Sequence, residues 1–372
     1  MRRLALIPLL CLIGAVASGC AVTGEIENQA YALVMGVDIA PDGGIELTIR
    51  IPRIGQGGGK EDAVGKGEPY LRISAAGDDY PQARENLQWA VARELNLSQL
   101  KLLIVSEALA SDARFPDLIR EIAETRHLYT TAGFVVCEGR ARAFIEGQEI
   151  LLGSHLASEI DAMFRHYAAH GFIPSATFAD LYYATQSCYS DPTGIWGFPD
   201  AGEQAASAVI EADEHVLNEE TATSSSRQYL GTALFRDGRL LARLDAEETL
   251  CLNLLTGRVD AFSFEAGGAA RELSSALPTR VRVVTDGEKP RIDVRVSLTG
   301  ANALDVKSAE AAVARAITSV IERCQRLGAE PFGFAARAAA RFPTLQAWQA
   351  YDWRSRFAEA EVRVEVRISA PE

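Results

Sequence analysis

Cysteine is scarce in this sequence. Six residues in 372 are too few for a disulfide scaffold of this size. Positive charge is also short: 37 Lys+Arg stand against 50 Asp+Glu, a formal net charge of -13. That deficit argues against non-specific nucleic-acid binding, which runs on phosphate neutralisation by basic groups. It argues equally against adhesion to an anionic membrane by charge. Beyond the N-terminus, no run approaches the ~20 apolar residues that a membrane-spanning helix needs. Internal repeats and low-complexity segments are absent. What remains is an ordinary globular composition, 48% hydrophobic and 23% charged, which excludes a mostly disordered or fibrous chain. The length suggests two or three domains.

The N-terminus has the layout of an export signal. Arg2 and Arg3 precede an apolar run from Leu4 to Val16, broken only by Pro8 and Gly14, and then come Ala17, Ser18, Gly19 and Cys20. Such a run has the length of a secretory h-region. Small residues before a cysteine resemble the bacterial lipoprotein signal, with the cut at Gly19-Cys20 and a diacylglycerol thioether on Cys20; Ala17 stands where Leu is usual. The competing reading is a plain signal peptide with Cys20 a bystander. Two or three acyl chains, palmitate among them, anchor a protein stably without a transmembrane helix. Loss of residues 1–19 removes two arginines and no acids, leaving 35 basic against 50 acidic residues.

Along the rest of the chain, 31–39 and 45–51 read as strands joined by the turn Pro41-Asp42-Gly43-Gly44. Residues 70–75 form a third strand. Asp78 or Asp79 caps a helix from Pro81 to about Asn96, with Leu87, Val91 and Leu95 at helical spacing. The near-continuous run at 100–105 suits a strand covered on both faces. A short helix near 115–125, a strand at 130–137 and helices at 154–170 and 175–186 follow. After weakly patterned residues 187–227, with one strand at 208–214, a hairpin turns at Asp237-Gly238. A short helix at 247–254 and a strand at 259–264 come next. Residues 280–285 and 291–298 alternate polar and apolar side chains, the pattern of half-exposed strands. The helix at 307–328 carries Val313, Ile317, Val320, Ile321 and Cys324 on one face and stops at Gly328. A helix at 332–341 and an alternating strand ending at Ile368 complete the chain. The expected class is α+β: three mixed α/β domains, each a sheet flanked by helices. They span 20–190, 191–268 (a linker and small middle domain) and 269–372, after a signal at 1–19.

No motif supplies catalysis. The Gly55–Lys60 stretch fails as a phosphate loop, because Ile54 stands where the first Gly belongs and Glu61 where a hydroxyl belongs. His166 and His170 are four apart, with His155 eleven residues before His166, a spacing zinc can use. Yet Tyr167 replaces the metalloprotease Glu, and no further ligand completes a set. G-x-S-x-G is absent, and no glycosidase carboxylate pair can be chosen. Cys137, Cys188, Cys251 and Cys324 remain after the signal, allowing three full pairings. Cys137 and Cys324 sit in apolar patterns typical of buried free thiols. The residues therefore point to an acidic, exported, non-enzymatic lipoprotein with no catalytic, cofactor-binding or metal-ligating residue.

Taken in order, the pieces resemble the spore germination receptor C subunit, the Ger(x)C lipoprotein family. The opening hairpin (Ala32–Asp38, the Asp42-Gly43 turn, 45–51) is similar, as are the helix with Ala83 and Leu87, the 100–110 run and the Phe115–Arg126 segment. So are Gly231–Phe235 with Arg239-Leu240 and 244–249, and then Pro331–Phe334, Arg341–Pro343, Trp348, Trp353 and Phe357. Two positions depart from the family: Ala21-Val22 stand where many members have Trp-Asp, and Glu330-Pro331 where many carry an acid directly before Phe-Gly. The resemblance implies lipid on Cys20 and a place on the outer face of the cytoplasmic (spore inner) membrane. It implies two integral membrane subunits as partners, in a complex that sets off nutrient-triggered germination, and no active centre. The rivals are a solitary solute-binding lipoprotein, which usually has two similar lobes, and an exported hydrolase, which the missing motifs disfavour.

Overall fold

The computed structural model describes residues 28–52, 70–126, 128–147, 156–187, 189–198, 209–211, 229–266, 269–300 and 305–370. Cys20, the Gly55–Lys60 stretch, His155 and Cys188 lie outside them. In chain order the elements are β1 (Gln29–Tyr31), β2 (Val34–Ile39), β3 (Ile45–Pro52), β4 (Tyr70–Gly77), α1 (Tyr80–Ala90), β5 (Glu94–Asn96) and β6 (Leu102–Ser106). Then come α2 (Glu107–Ser111), α3 (Phe115–Ala123), β7 (Gly133–Cys137), α4 (Ala141–Gly147), α5 (Leu156–Ala169), α6 (Phe178–Thr185), β8 (Thr193–Gly197) and β9 (Val209–Glu211). The last group is β10 (Tyr229–Arg236), β11 (Arg239–Leu244), α7 (Ala246–Thr256), β12 (Ala261–Ala266), β13 (Ala269–Val284), β14 (Arg291–Gly300), α8 (Val306–Leu327), α9 (Phe334–Ala339), α10 (Leu345–Tyr351), α11 (Trp353–Phe357) and β15 (Glu361–Ser369).

These strands form an eight-stranded sheet, β11-β10-β8-β7-β6-β2-β3-β4, a five-stranded sheet, β15-β14-β13-β12-β9, and a short β1-β5 pair. In the first sheet β2, β6, β7 and β8 run parallel, and antiparallel strands flank them on both sides. Parallel strands require crossovers, and the crossover helices cover both faces. Alternate residues accordingly enter different cores. Leu103 and Val105 pack with Leu87, Phe115, Ile119 and Phe178 from α1, α3 and α6, whereas Leu102 and Ile104 pack with Ala141, Phe144 and Ile160 from α4 and α5.

The second sheet is covered on one face. Val283, Ile292, Val294, Val296 and Leu298 pack against Val313, Ile317, Val320 and Ile321 of α8. That helix begins under Asp305, whose side chain accepts from Ser308 N–H, and ends at Gly328 in the left-handed conformation, φ 68°. Between the sheets lies α7, buried on all sides through Leu250, Cys251, Leu252, Asn253, Leu254 and Leu255. It touches β10 and β11 of one sheet, β13 and β14 of the other, and α8.

The α+β class with mixed sheets is what the structure holds. Residues 191–268 divide their strands: β8, β10 and β11 join the eight-stranded sheet, and β9 and β12 the five-stranded one. The helix expected to reach Asn96 ends at Ala90. Val91 turns extended (φ -108°, ψ 126°), and the Gln88 side chain bonds Arg93 O and Leu95 N, folding the chain into β5. The expected 280–285 strand begins eleven residues earlier, at Ala269.

Candidate functional site

The most elaborate polar constellation joins the two sheets. Asp191, just before β8, and Glu330, between α8 and α9, are joined by two hydrogen bonds. Asp191 N–H donates to Glu330 O at 2.9 Å, and Glu330 N–H donates to Asp191 Oδ2 at 2.8 Å. The other Asp191 oxygen accepts from Arg354 Nη2 at 3.1 Å, while Arg354 Nη1 donates to Asp237 Oδ1 at 2.6 Å. Glu330 caps the start of α9, accepting from Phe332 and Phe334 N–H on Oε1 and from Ala335 N–H on Oε2.

Burial raises the carboxyl of Asp191 above its ordinary value and pushes that of Glu330 up to about 8. Asp237, turned outward at the β10–β11 hairpin, is lowered instead by its bond from Arg354. Each oxygen of the two buried carboxylates receives an N–H donor. The arrangement therefore holds parts together; it is not an acid–base pair with a free oxygen for a substrate.

A second feature lies at the carboxyl ends of the parallel strands, the place where open α/β sheets commonly bind ligands. An open cleft of about 640 Å³ is lined by Asp38, Ile39, Ser106, Glu107 and Arg140 among others. Asp38, 1% exposed, accepts from Ala141 and Arg142 N–H at 2.8 and 2.9 Å. Burial raises its carboxyl, and those two bonds oppose the rise. Arg140 and Arg142 both pair with Glu46 on β3. The polar groups at the mouth are thus largely committed to one another.

The residues singled out by sequence fall as follows. Cys20 lies outside the described residues. His166 and His170 lie together at the end of α5, ring centroids 4.3 Å apart and tilted by 46°, with His170 nearly parallel to the Phe172 ring. Among the described residues no group of three His, Cys, Asp or Glu gathers in a metal-holding arrangement. Cys137, Cys251 and Cys324 are buried free thiols, and desolvation raises all three, Cys324 to about 12.

Several of the residues that carried the family resemblance hold the fold together. Gly231 has φ +99°, and a Cβ there would stand 2.6 Å from Leu244 O. Asp245 and Glu248 form a capping box on α7, and Glu248 also pairs with Arg323 of α8. Trp348 and Trp353 stack 6.0 Å apart in the second core. Asp191 and Glu330 were missed as a pair because 139 positions separate them. The one local signal was an acid followed by Pro-Phe-Gly before a helix, a pattern that fits a cap.

Fold and constellation define a two-sheet α+β protein whose halves are bonded through buried carboxylates, and comparison with known proteins gives the family. Residues 23–193 match the model described as "Spore germination protein N-terminal domain", and residues 230–370 match "Spore germination B3/ GerAC like, C-terminal". The chain belongs to this spore germination family. A Bacillus subtilis (strain 168) protein named for spore germination, YfkR, is 27% identical over 139 residues, which are 36% of this chain and 34% of that relative's length. The crystal structure of the GerBC protein superposes with a TM-score of 0.52 at 12% identity, covering 91% of this chain and 97% of that one, and so shares the fold. The Asp191–Glu330 bonds therefore link the two family-matched segments.

Proposed function

We propose that this protein is the lipid-anchored C subunit of a nutrient germinant receptor, non-catalytic and needed for nutrient-triggered spore germination. The observation that carries this reading is the match of both germination models, in order, across one continuous fold. In this reading Cys20 bears the acyl chains, and the folded part sits on the outer face of the cytoplasmic (spore inner) membrane. Two integral membrane subunits complete the receptor. An assembly that shifts between states needs each part that biases it, so a subunit without an active centre is still required.

The test is deletion of the subunit. Spores are expected to lose the response to one class of nutrient while non-nutrient triggers still act. An unchanged response to every nutrient tested would end the reading. Cys20→Ala is expected to release the protein from the membrane fraction, and a pull-down from spore membranes to recover two multi-span proteins. The cleft near Asp38 supports a second reading, capture of a small solute. Micromolar binding of a germinant to the purified protein in calorimetry would favour it.

A further inference from the structure

Charge is divided unevenly along the chain. Residues 269–372 hold 16 Lys+Arg against 13 Asp+Glu, whereas residues 1–268 hold 21 against 37. The basic part contains β13, β14 and β15, whose inner face packs on α8. Their outer face is open: along β14 buried residues alternate with half-buried or exposed ones.

Register places the outward side chains in rows across the three strands. Arg280, Arg295 and Glu365 form one row; Arg282, Asp293 and Arg363 the next; Leu277, Ser297 and Arg367 a third. Strands lie about 4.8 Å apart and rows about 7 Å apart, so the guanidinium groups form a flat array. With Arg291 and Glu361 the face carries six arginines and three carboxylates. The carboxylates are shared: Arg295 meets Glu365 at 3.0 Å, Arg367 meets Glu365 at 2.6 Å, Arg291 meets Asp293 at 3.2 Å, and Arg363 meets Glu361 at 3.7 Å. Arg280 and Arg282 are both exposed, and no carboxylate among the described residues lies in ion-pair range of either.

Beside them β13 bulges. Its register slips on both sides of Leu277, which is 56% exposed and followed by exposed Pro278. Such a bulge lifts its residues off the ladder. An outward leucine followed by Arg280 and Arg282, which have no ion-pair partner among the described residues, fits a lipid surface, where apolar side chains enter the headgroup–acyl boundary and guanidinium groups bind phosphate. An acidic polypeptide would pair the arginines and leave the leucine in water. The acidic part of the molecule does not cancel this face, because charges more than about 8 Å away are largely screened at physiological salt.

We propose that the open face of the five-stranded sheet docks on an anionic phospholipid surface through Arg280, Arg282, Arg363 and Arg367, with Leu277 at the headgroup boundary. The proposal takes its setting from the membrane-bound reading above but does not depend on the lipid at Cys20. It adds the basic contact that, together with an acyl anchor, fixes a protein's orientation on a bilayer.

The test uses the chain from residue 20 with Cys20→Ser, free of acyl groups, sedimented with vesicles of phosphatidylcholine alone or mixed with phosphatidylglycerol. Binding is expected only to the mixed vesicles and is expected to fall as salt rises. The double variant Arg280→Gln/Arg282→Gln is expected to bind about thirtyfold more weakly, since each basic residue near such a surface contributes on the order of 1 kcal/mol. Leu277→Ser should lower binding without altering the salt dependence. Arg93→Gln/Arg120→Gln, exposed elsewhere, should bind like the parent. Equal binding to both vesicle types, parental binding by the 280/282 variant, or binding to polyglutamate but not to vesicles would each overturn the proposal. Failure of Cys20 anchoring would appear in the fractionation of Cys20→Ala and would leave this result unchanged.

Discussion

In the eight-stranded sheet, β6 buries every residue from Leu102 to Ser106; in the five-stranded sheet, β14 buries every second residue from Ile292 to Gly300. The difference follows from topology. Parallel strands carry their crossovers over both faces, whereas β13, β14 and β15 have one helical layer, led by α8. A strand between two cores has no solvent side on which to place chemistry. A strand with one open face can vary half of its residues freely. New surface properties therefore belong on the second sheet, and the first sheet is where packing governs each position.

The contrast can be broken or sharpened by substitution. Phe134→Ala on β7 removes a ring packed between Phe115 and Phe235 and is expected to cost about 3–5 kcal/mol in chemical denaturation. Next is Asp191→Ala, which leaves Glu330 N–H without its acceptor. A loss of about 2–3 kcal/mol is expected, and if the two halves depend on this clasp, they should unfold in separate transitions in the variant. Val296→Ala on β14, buried on one side only, should cost about 1.5–2 kcal/mol. A loss as large as that of Phe134→Ala would show that the one-sided strand packs as tightly as the two-sided one.

Glu330 gives a smaller, pH-dependent effect. Burial raises its carboxyl from 4.5 to about 8, so the folded chain holds this proton where the unfolded chain releases it. Its contribution to stability is then full below 4.5 and falls as pH climbs through about 8. Denaturation midpoints of Glu330→Gln and the parent should lie closest below pH 4.5, separate in the variant's favour as pH rises towards about 8, and keep that separation above it. An unchanged difference across that range would show that the three backbone donors hold the ionised form. Last, Arg295→Ala on the open face should leave the denaturation midpoint unmoved, as exposed ion pairs usually do.

Much of this was legible in the residues. The 2.0-residue alternation at 291–298 and the continuous run at 100–105 distinguish a one-sided from a two-sided strand without any tertiary information. The Asp237-Gly238 turn, with Asp237 at φ 52°, and the Gly328 stop follow from local chemistry. What local chemistry could not supply is partnership. Nothing in Thr193–Gly197 tells that it pairs with Tyr229–Leu234 across more than thirty intervening positions, or that Asp191 meets Glu330. The helix from Pro81 was overextended because Leu95 keeps helical spacing after Gln88 has already turned the chain.

The position of β10 has a consequence for how the protein is made. The first germination-model match ends at Thr193, and β8 spans Thr193–Gly197, yet the strand that covers the free edge of β8 begins at Tyr229. During synthesis the chain emerges N-terminus first. The first sheet therefore waits with an open edge until the hairpin ending at Leu244 has followed it out. An uncovered edge invites pairing with another copy. Chains interrupted between 198 and 229 should accordingly self-associate through that edge.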